Sequence, residues 1–533
     1  MRKLDKYATI RGKMPRLNST FALSLISIFA FASSLRADGG FDLGGSPGVP
    51  QQGRGGAWLA KADDPLAVFL NPAGLGHQVR SFHVGGDFMF MDRCYTRLDA
   101  NGQPVGVGGG LPVPGSPGGP SLQECNLNKP FLNPQIAAVF RLTDRMAFGV
   151  SLHGPHGVGK IAFPETVPDS RGVQPAAGRF MLDEVNSKLS YLTLSTGYVV
   201  NDKLSLGAGF MWGMFAEKGS LFAEARSPQP PPGQLAHDDF FARGETKATL
   251  DVKDPFVPGF ILGGLWTPTD RLSVASTFHW QDALRFSGDV SLESRYWNPD
   301  GSKNLTPCGP GEPADCNITN PPGKDLQGVF NVPWEAKVGL RYRRPRDGAP
   351  ASADAMSSER WDVELDGTFS KNSVVKTIDF DLTGSAALPG TQIAFNGVPG
   401  ATIPTALHLD KHWKDVFGVR FGGDRVIKPN RLTLRAGTFY ESKGGRDQFL
   451  NLHFFEAARL GAAGGGTLRF GRRYDLAFAY QHTFFGSIDN GGKGAVLGLS
   501  GDPVNDHSTW QPMNGGKITS TMNEVGLSLT VRF

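Results

Sequence analysis

From Lys517 to Phe533 the chain reads as one strand, with apolar and polar side chains in strict alternation from Glu524 onward, and it stops on an aromatic residue. Val525, Leu527, Leu529, Val531 and Phe533 share one parity; Glu524, Gly526, Ser528, Thr530 and Arg532 share the other. Successive side chains of a strand point to opposite faces, so one face suits lipid and the other a wet or polar lumen. An edge strand of a soluble sandwich could carry the same pattern. The rest of the chain has to decide between them.

Phe21 to Leu35 form an apolar stretch behind Arg2, Lys3, Lys6, Arg11, Lys13 and Arg16 and ahead of Arg36-Ala37, the pattern of a signal peptide over residues 1–37 with cleavage after Ala37. Met14 is an alternative start. Beyond this stretch no apolar run reaches the roughly 18 residues a membrane helix needs. The mean hydropathy of -0.22 still suits a membrane barrel, because every second wall residue faces inward. With 54 basic against 50 acidic residues there is no stripe of the kind that binds nucleic acid, and charge does not choose a cargo.

The alternation recurs along the chain. Met146, Phe148, Val150 and Leu152 share a face after Thr143-Asp144-Arg145, and Leu204, Leu206, Ala208, Phe210 and Trp212 share another after Asn201-Asp202. Short turns also fall at Thr269-Asp270 and Pro429-Asn430, whereas long insertions occupy 93–133, 218–247, 295–328, 372–410 and 487–517. Outer-membrane barrels show this asymmetry, with short periplasmic turns and long outer loops. Strands placed near 79, 134, 146, 186, 203, 256, 272, 330, 360, 413, 431, 466, 474 and 518 give an antiparallel barrel of about 14 strands, an even number as closure favours. Arg344 to Glu359 is long for a periplasmic connection, and Gly464-Gly465-Gly466 breaks the strand before Gly471. The organisation expected is a signal peptide (1–37), a turn-rich N-terminal plug or hatch (38–78) and a barrel (79–533) in the bacterial outer membrane.

Four cysteines fall as two local pairs, Cys94 with Cys125 and Cys308 with Cys316, each in a stretch rich in Gly, Pro and Asn. In an exported chain, loop-stapling disulfides are the expectation. His153 and His156 lack the convergent partners of a metal site, so neither metal nor cofactor is expected. Gly154 to Lys160 has the glycine and lysine spacing of a phosphate loop, but Ile161 stands where Ser or Thr is required.

Ala62-Asp63-Asp64 followed by Asn71-Pro72-Ala73-Gly74-Leu75 resembles the hatch motif of the FadL-type outer-membrane family. Asn133-Pro134 through Gly159, Asn201 through Gly209, Val332-Pro333-Trp334 through Tyr342 and Trp413-Lys414-Asp415 through Tyr440 follow in the family's order, over nearly the whole mature chain. The resemblance implies a hatch-plugged barrel that passes long-chain fatty acids or other hydrocarbons through a lateral wall opening. It makes Asp63, Asp64, Asn71, Pro72 and Ala73 candidate gating residues, and puts a wall kink within Phe148 to Gly159, with Gly149 the best candidate. A collecting groove maps to 218–247 and 295–328, where Leu221, Phe222, Phe240 and Phe241 would supply apolar surface. The family's fifth-strand arginine falls at Leu221, with Lys218 close by, and Lys376 falls near a second basic position, so a neutral hydrocarbon cargo stays open beside a fatty acid.

Expected partners are these hydrophobic molecules, outer-membrane lipid and the barrel-assembly machinery, with the chain acting as a monomer. Two other functions compete. A lipid hydrolase would need a catalytic constellation, but no G-x-S-x-G elbow occurs. A general porin or surface-binding barrel would have no use for a hatch.

Overall fold

The computed structural model describes residues 48–99, 101–104, 123–127, 130–169, 172–224, 245–295, 323–348, 354–381, 406–496 and 513–533. The signal peptide expected over 1–37, and residues 38–47 of the expected hatch, lie outside them.

The wall begins with β1 (Ser81–Arg97), β2 (Phe131–Arg141), β3 (Met146–Ala162), β4 (Glu184–Asn201), β5 (Leu204–Glu224) and β6 (Glu245–Thr269), each antiparallel to the next. Four strands follow in two stretches each: β7 (Leu272–Gln281 and Leu284–Arg295), β8 (Gly323–Phe330 and Glu335–Pro345), β9 (Glu359–Ser370 and Thr377–Asp381) and β10 (Ala406–Asp410 and Val416–Lys428). Then come β11 (Leu432–Glu441), β12 (Arg459–Phe470), β13 (Tyr474–Phe485) and β14 (Gly516–Arg532). The last strand returns to the first, from Ser81↔Arg532 to Arg97↔Gly516, and closes a 14-stranded barrel. Closure leaves the wall no free edge, the condition for a sheet to sit in hydrocarbon.

Turn chemistry sets the short end of the barrel. The Asn201 side chain accepts from the N–H groups of Lys203 and Leu204 at 2.9 and 3.0 Å, and Thr269 Oγ1 accepts from Arg271 and Leu272 at 3.3 and 3.1 Å. Asn430 takes φ 54, a left-handed conformation that Asn tolerates. The longer Arg344–Glu359 connection carries one helical turn (Ala355–Ser358) and is tied to β12 by Arg469, which donates to Asp354 at 2.6 and 3.0 Å. Gly464, Gly465 and Gly466 do not break β12: its ladder to β11 and β13 runs through all three.

Parity sorts the wall as the sequence pattern requires. Val525, Leu527 and Phe533 are exposed on the outside of β14, while Glu524, Ser528 and Thr530 face inward and are buried. Higher on the same inner face stand Ile518 and Met522, both fully buried. The lumen is therefore polar towards the short turns and apolar towards the long loops.

The polar half is filled by the N-terminal segment, residues 48–78. Three carboxylates on alternate residues of β9 receive it. Arg54 lies between Asp362 (2.6 Å), Asp424 of β10 (3.1 Å) and Glu364 (3.2 Å). Glu364 also accepts from the Ala60 N–H at 2.5 Å, and Asp366 from the N–H groups of Trp58 and Leu59 at 3.0 and 3.2 Å. Lys61 reaches Asp362 and Asp424 at 3.4 and 3.6 Å, and Arg54, Lys61 and Arg435 all lie within 5.4 Å of the Trp58 ring centroid. Burial, the largest influence on Arg54, pulls its guanidinium down, but the fields of Asp362, Asp424 and Glu364 together hold it above its ordinary value.

Removing one partner of a buried ion cluster strands the others and costs about 3–5 kcal/mol. Arg54→Met is therefore expected to loosen residues 48–78 without dissolving the barrel. Ion conductance of purified barrels in planar bilayers and protease cleavage of this segment should both rise while heat-modifiable migration is kept. Wild-type behaviour in both assays would show the ionic seat to be dispensable.

Candidate functional site

Beyond the ionic seat the segment turns across the lumen. Asn71 is fully buried and caps the short 3₁₀ helix Pro72–His77, its Oδ1 accepting from the Ala73 N–H at 3.1 Å. Its Nδ2 donates to the carbonyls of Leu59 at 2.9 Å and Gly264 at 3.4 Å, so one side chain ties the segment to itself and to β6. Pro72 sits against Gly207 of β5 and Gly263 of β6, where any Cβ would overlap the Asn71-Pro72-Ala73 backbone and side chains. Asp64 accepts from Gln51 Nε2 at 2.6 Å and from the Leu66 N–H at 3.0 Å, and burial, with Asp63 beside it, pushes its carboxyl up to about 7. Asp63 is half-buried and pairs with Lys61 at 3.4 Å.

Phe69 projects from the helical turn Ala67–Leu70 into the floor of the apolar half. Its ring lies 4.0 Å from His153 of β3, 5.0 Å from His279 of β7 and 5.8 Å from Tyr191 of β4. Above it one continuous cluster joins Leu189, Met211, Val257, Ile261, Phe286 and Leu326 from the wall. The connection between β11 and β12 folds over this cluster as a roof, burying Leu450, Leu452, Phe454 and Phe455. Phe330 stacks on Phe454 at 5.8 Å, and Trp413 meets both rings edge-on at 6.0 and 5.6 Å.

Charge enters the roof at few points. Lys411, between the two stretches of β10, is buried with its ammonium 5.3 Å from the Phe454 ring. Glu456 is buried beside it, His453 pairs with Glu217 at 3.4 Å, and Arg93 lies over Phe455 at 4.8 Å. Burial pushes the Glu456 carboxyl up to about 8 and pulls the Lys411 ammonium down, each opposed by the other.

The wall loses its regularity along one level, between floor and roof. Register shifts fall between His153 and Gly159 of β3 and at Gly213/Phe215 of β5 opposite β6. At the same height β7, β8, β9 and β10 are each interrupted, at 282–283, 331–334, 371–376 and 411–415. The irregular part of β3 lies within the expected stretch Phe148–Gly159 but beyond Gly149. Phe148 and Gly149 are in regular register, Phe148 with Phe140 and Thr196, and Gly149 with Val139 and Ser195. A Cβ on Gly149 would overlap Val68 of the N-terminal segment, so this glycine seats the segment, and the wall bends at Gly154–Gly159, where φ of Gly159 is 64.

Other expected site residues disperse. Lys218 is exposed and pairs with Asp251 at 3.7 Å on the outer reach of β5 and β6, and the Lys376 side chain is also exposed, so neither enters the chamber. Leu221 is half-buried. Phe222 is fully buried against Phe180 and Met513. Phe240, Phe241, Cys308 and Cys316 lie outside the described residues; a disulfide joins Cys94 to Cys125. Phe69 and Lys411 escaped the sequence reading. An isolated Phe in a turn-rich stretch and a Lys next to a His-Trp pair carry no periodic signal.

A side chain forced into a packed site costs about 1–3 kcal/mol. Gly149→Val is expected to spend that strain on Val68 and unseat Ala67–Leu70, raising ion conductance in planar bilayers while heat-modifiable migration is retained. Wild-type conductance combined with lost uptake of a fluorescent fatty acid would return the kink to Gly149.

The description "Outer membrane protein transport protein (OMPP1/FadL/TodX)" matches residues 52–493. No curated protein matches in sequence. Among solved structures, a Pseudomonas aeruginosa FadL homologue aligns over 93% of this chain and 100% of its own at 20% identity, with a TM-score of 0.66. The P. putida toluene transporter TodX aligns over 92% and 99% at 15% identity (TM-score 0.59), and the Ralstonia pickettii toluene transporter TbuX over 92% and 99% at 16% (TM-score 0.56). The family and these neighbours are transport channels and not enzymes, which sets the hydrolase aside. The chain belongs to the OMPP1/FadL/TodX family of outer membrane transport proteins and is a transport barrel of the bacterial outer membrane.

Proposed function

We propose that the barrel takes up hydrophobic compounds, with long-chain fatty acids as the principal cargo, through the apolar chamber above Phe69 and out through the wall into lipid. The observation that carries this reading is a continuous apolar cluster inside the barrel between Phe69 and the roof, with a buried lysine against that roof. Each methylene that moves from water into such a chamber gains about 0.8 kcal/mol, whereas an aqueous pore would leave the chain hydrated. Lateral release avoids returning it to water. Residues 38–78 act as the hatch, with Asn71-Pro72-Ala73 and Phe69 controlling passage below the chamber. The irregular β3 residues Gly154–Gly159 supply the lateral opening.

Lys411 is the anchor for the fatty-acid carboxylate. Burial pushes the Glu456 carboxyl up to about 8, which favours its protonated form at neutral pH and weakens its hold on Lys411 against an incoming anion. A charge-assisted hydrogen bond is worth about 1.5–3 kcal/mol, so Lys411→Met should weaken palmitate binding roughly 10- to 100-fold and leave toluene binding unchanged. Palmitate affinity should also fall as pH rises through about 8, because Glu456 ionises and competes with the ligand carboxylate for Lys411; Glu456→Gln should flatten that profile.

The neighbours TodX and TbuX are described as toluene transporters, and with Leu221 at the family's fifth-strand arginine they favour a second reading, a neutral aromatic cargo. Binding titrations of purified protein with palmitate and with toluene decide between them. Tight toluene binding together with palmitate binding indifferent to Lys411→Met would replace the fatty-acid reading with the hydrocarbon one.

A further inference from the structure

The seam between β7 and β8 differs from the other interruptions at its level. Its ladder ends below at His279↔Glu335 and resumes above at Leu284↔Phe330, so Trp280–Ala283 face Asn331–Trp334 without a ladder pair. Adjacent breaks are bridged: the Asp282 N–H donates to Pro258 at 2.9 Å, Lys371 to Trp334 at 2.9 Å and Trp413 to Val375 at 3.1 Å. Within the seam Pro333 has no N–H to donate.

A small crevice lies against this gap on the lumen side. Its lining joins Phe69, Met211 and Gln281 of the lumen to Pro333 and Trp280 of the wall, and Trp280 is 39% exposed on the lipid side. The free space in it is about 10 Å³, close to one water-sized sphere, so the passage is narrow as it stands. Aromatic rings surround its outer mouth, Trp280 against Phe260 at 5.5 Å and Trp334 between Phe278 at 5.6 Å and Phe369 at 5.2 Å. Such girdles mark the membrane–water interface, which puts the mouth at the edge of the outer leaflet, where hydrophobic molecules accumulate.

We propose that the β7–β8 seam is a second lateral portal, through which free fatty acids dissolved in the outer leaflet reach the lumen at Phe69; this rests on the transport reading above. A turn of the Trp280 ring widens the crevice without breaking a ladder bond, because none spans the seam. Phe69 contacts His279 at this portal and His153 at the irregular stretch of β3, so one ring closes both routes from below. A molecule that enters here stays out of water from leaflet to chamber and never meets the outer loops.

Palmitic acid bearing a diazirine on its chain, loaded into proteoliposomes of the full barrel, tests this by peptide mapping after irradiation. Label is expected on Gln281 and Pro333, rising roughly threefold or more in Trp280→Ala as the barrier falls, while Pro333→Trp should slow uptake of membrane-loaded palmitate by a similar factor. Label confined to the outward Trp280 and Trp334, unchanged by Trp280→Ala, overturns the portal. Phosphatidylethanolamine carrying the same diazirine is the comparison: inner label equal to that of the free acid means lipid tails merely fill a groove, which also overturns it. If Pro333→Trp fails to assemble, the contrast between wild type and Trp280→Ala decides. Wild-type barrels that take up palmitate from water with no inner seam label refute the portal alone, and a labelled seam without any uptake refutes the transport reading instead.

Discussion

Hydrocarbon offers a backbone no hydrogen-bond partner, and the rest of this molecule is arranged around that fact. Below the irregular level the wall is a continuous ladder from β1 round to β14, with closure by seventeen consecutive pairs between the first strand and the last. The interruptions of β7 to β10 share one height, where aromatic side chains indicate the outer interface and where water, neighbouring carbonyls or the lumen can satisfy what the ladder leaves open, while smaller register shifts lie beside the short turns. Departures from regular pairing are therefore tolerated only where lipid ends, and that is also where a hydrophobic molecule has to leave or enter the wall.

The lumen divides by chemistry at the same height. Below it, β9 and β10 present Asp362, Glu364, Asp366 and Asp424 to the cations and N–H groups of the N-terminal segment, so a charged interior is matched by its own contents. Above it, leucines, isoleucines and aromatic rings form an apolar cluster into which charged groups such as Lys411, Arg93, Glu456 and Glu217 are set. A segment held by ion pairs on one side and by Phe69 and Val68 on the other has a fastened end and a lightly held end. Apolar contacts slide more readily than a buried guanidinium leaves three carboxylates.

The strands were legible because a wall between lipid and lumen imposes a period of two on every segment that crosses it, and β14 reads the same in sequence and structure. Short turns were legible from Asn201, Thr269 and Asn430, whose side chains or backbone preferences act locally. Glycines misled the reading for a physical reason. Gly149 and Gly464–Gly466 look like strand breakers by propensity, yet one makes room for Val68 and the others sit in unbroken ladder, and a missing Cβ does not say whether backbone flexibility or a neighbour's approach explains it.

Sequence alone thus determined the fold class, the strand number, which residues face lipid and where the chain turns, since all of these follow from interactions over two to four residues. Tertiary structure decided the rest. That Arg54 meets Asp362, that Phe69 floors the chamber between His153 and His279, that Lys411 rather than Lys218 or Lys376 enters it, and that four strands break at one level depend on residues brought together from across hundreds of positions. Alternation fixes only inside against outside; how far along the barrel each inward side chain lies, and what it meets there, is set by the stagger of strands around a closed ring.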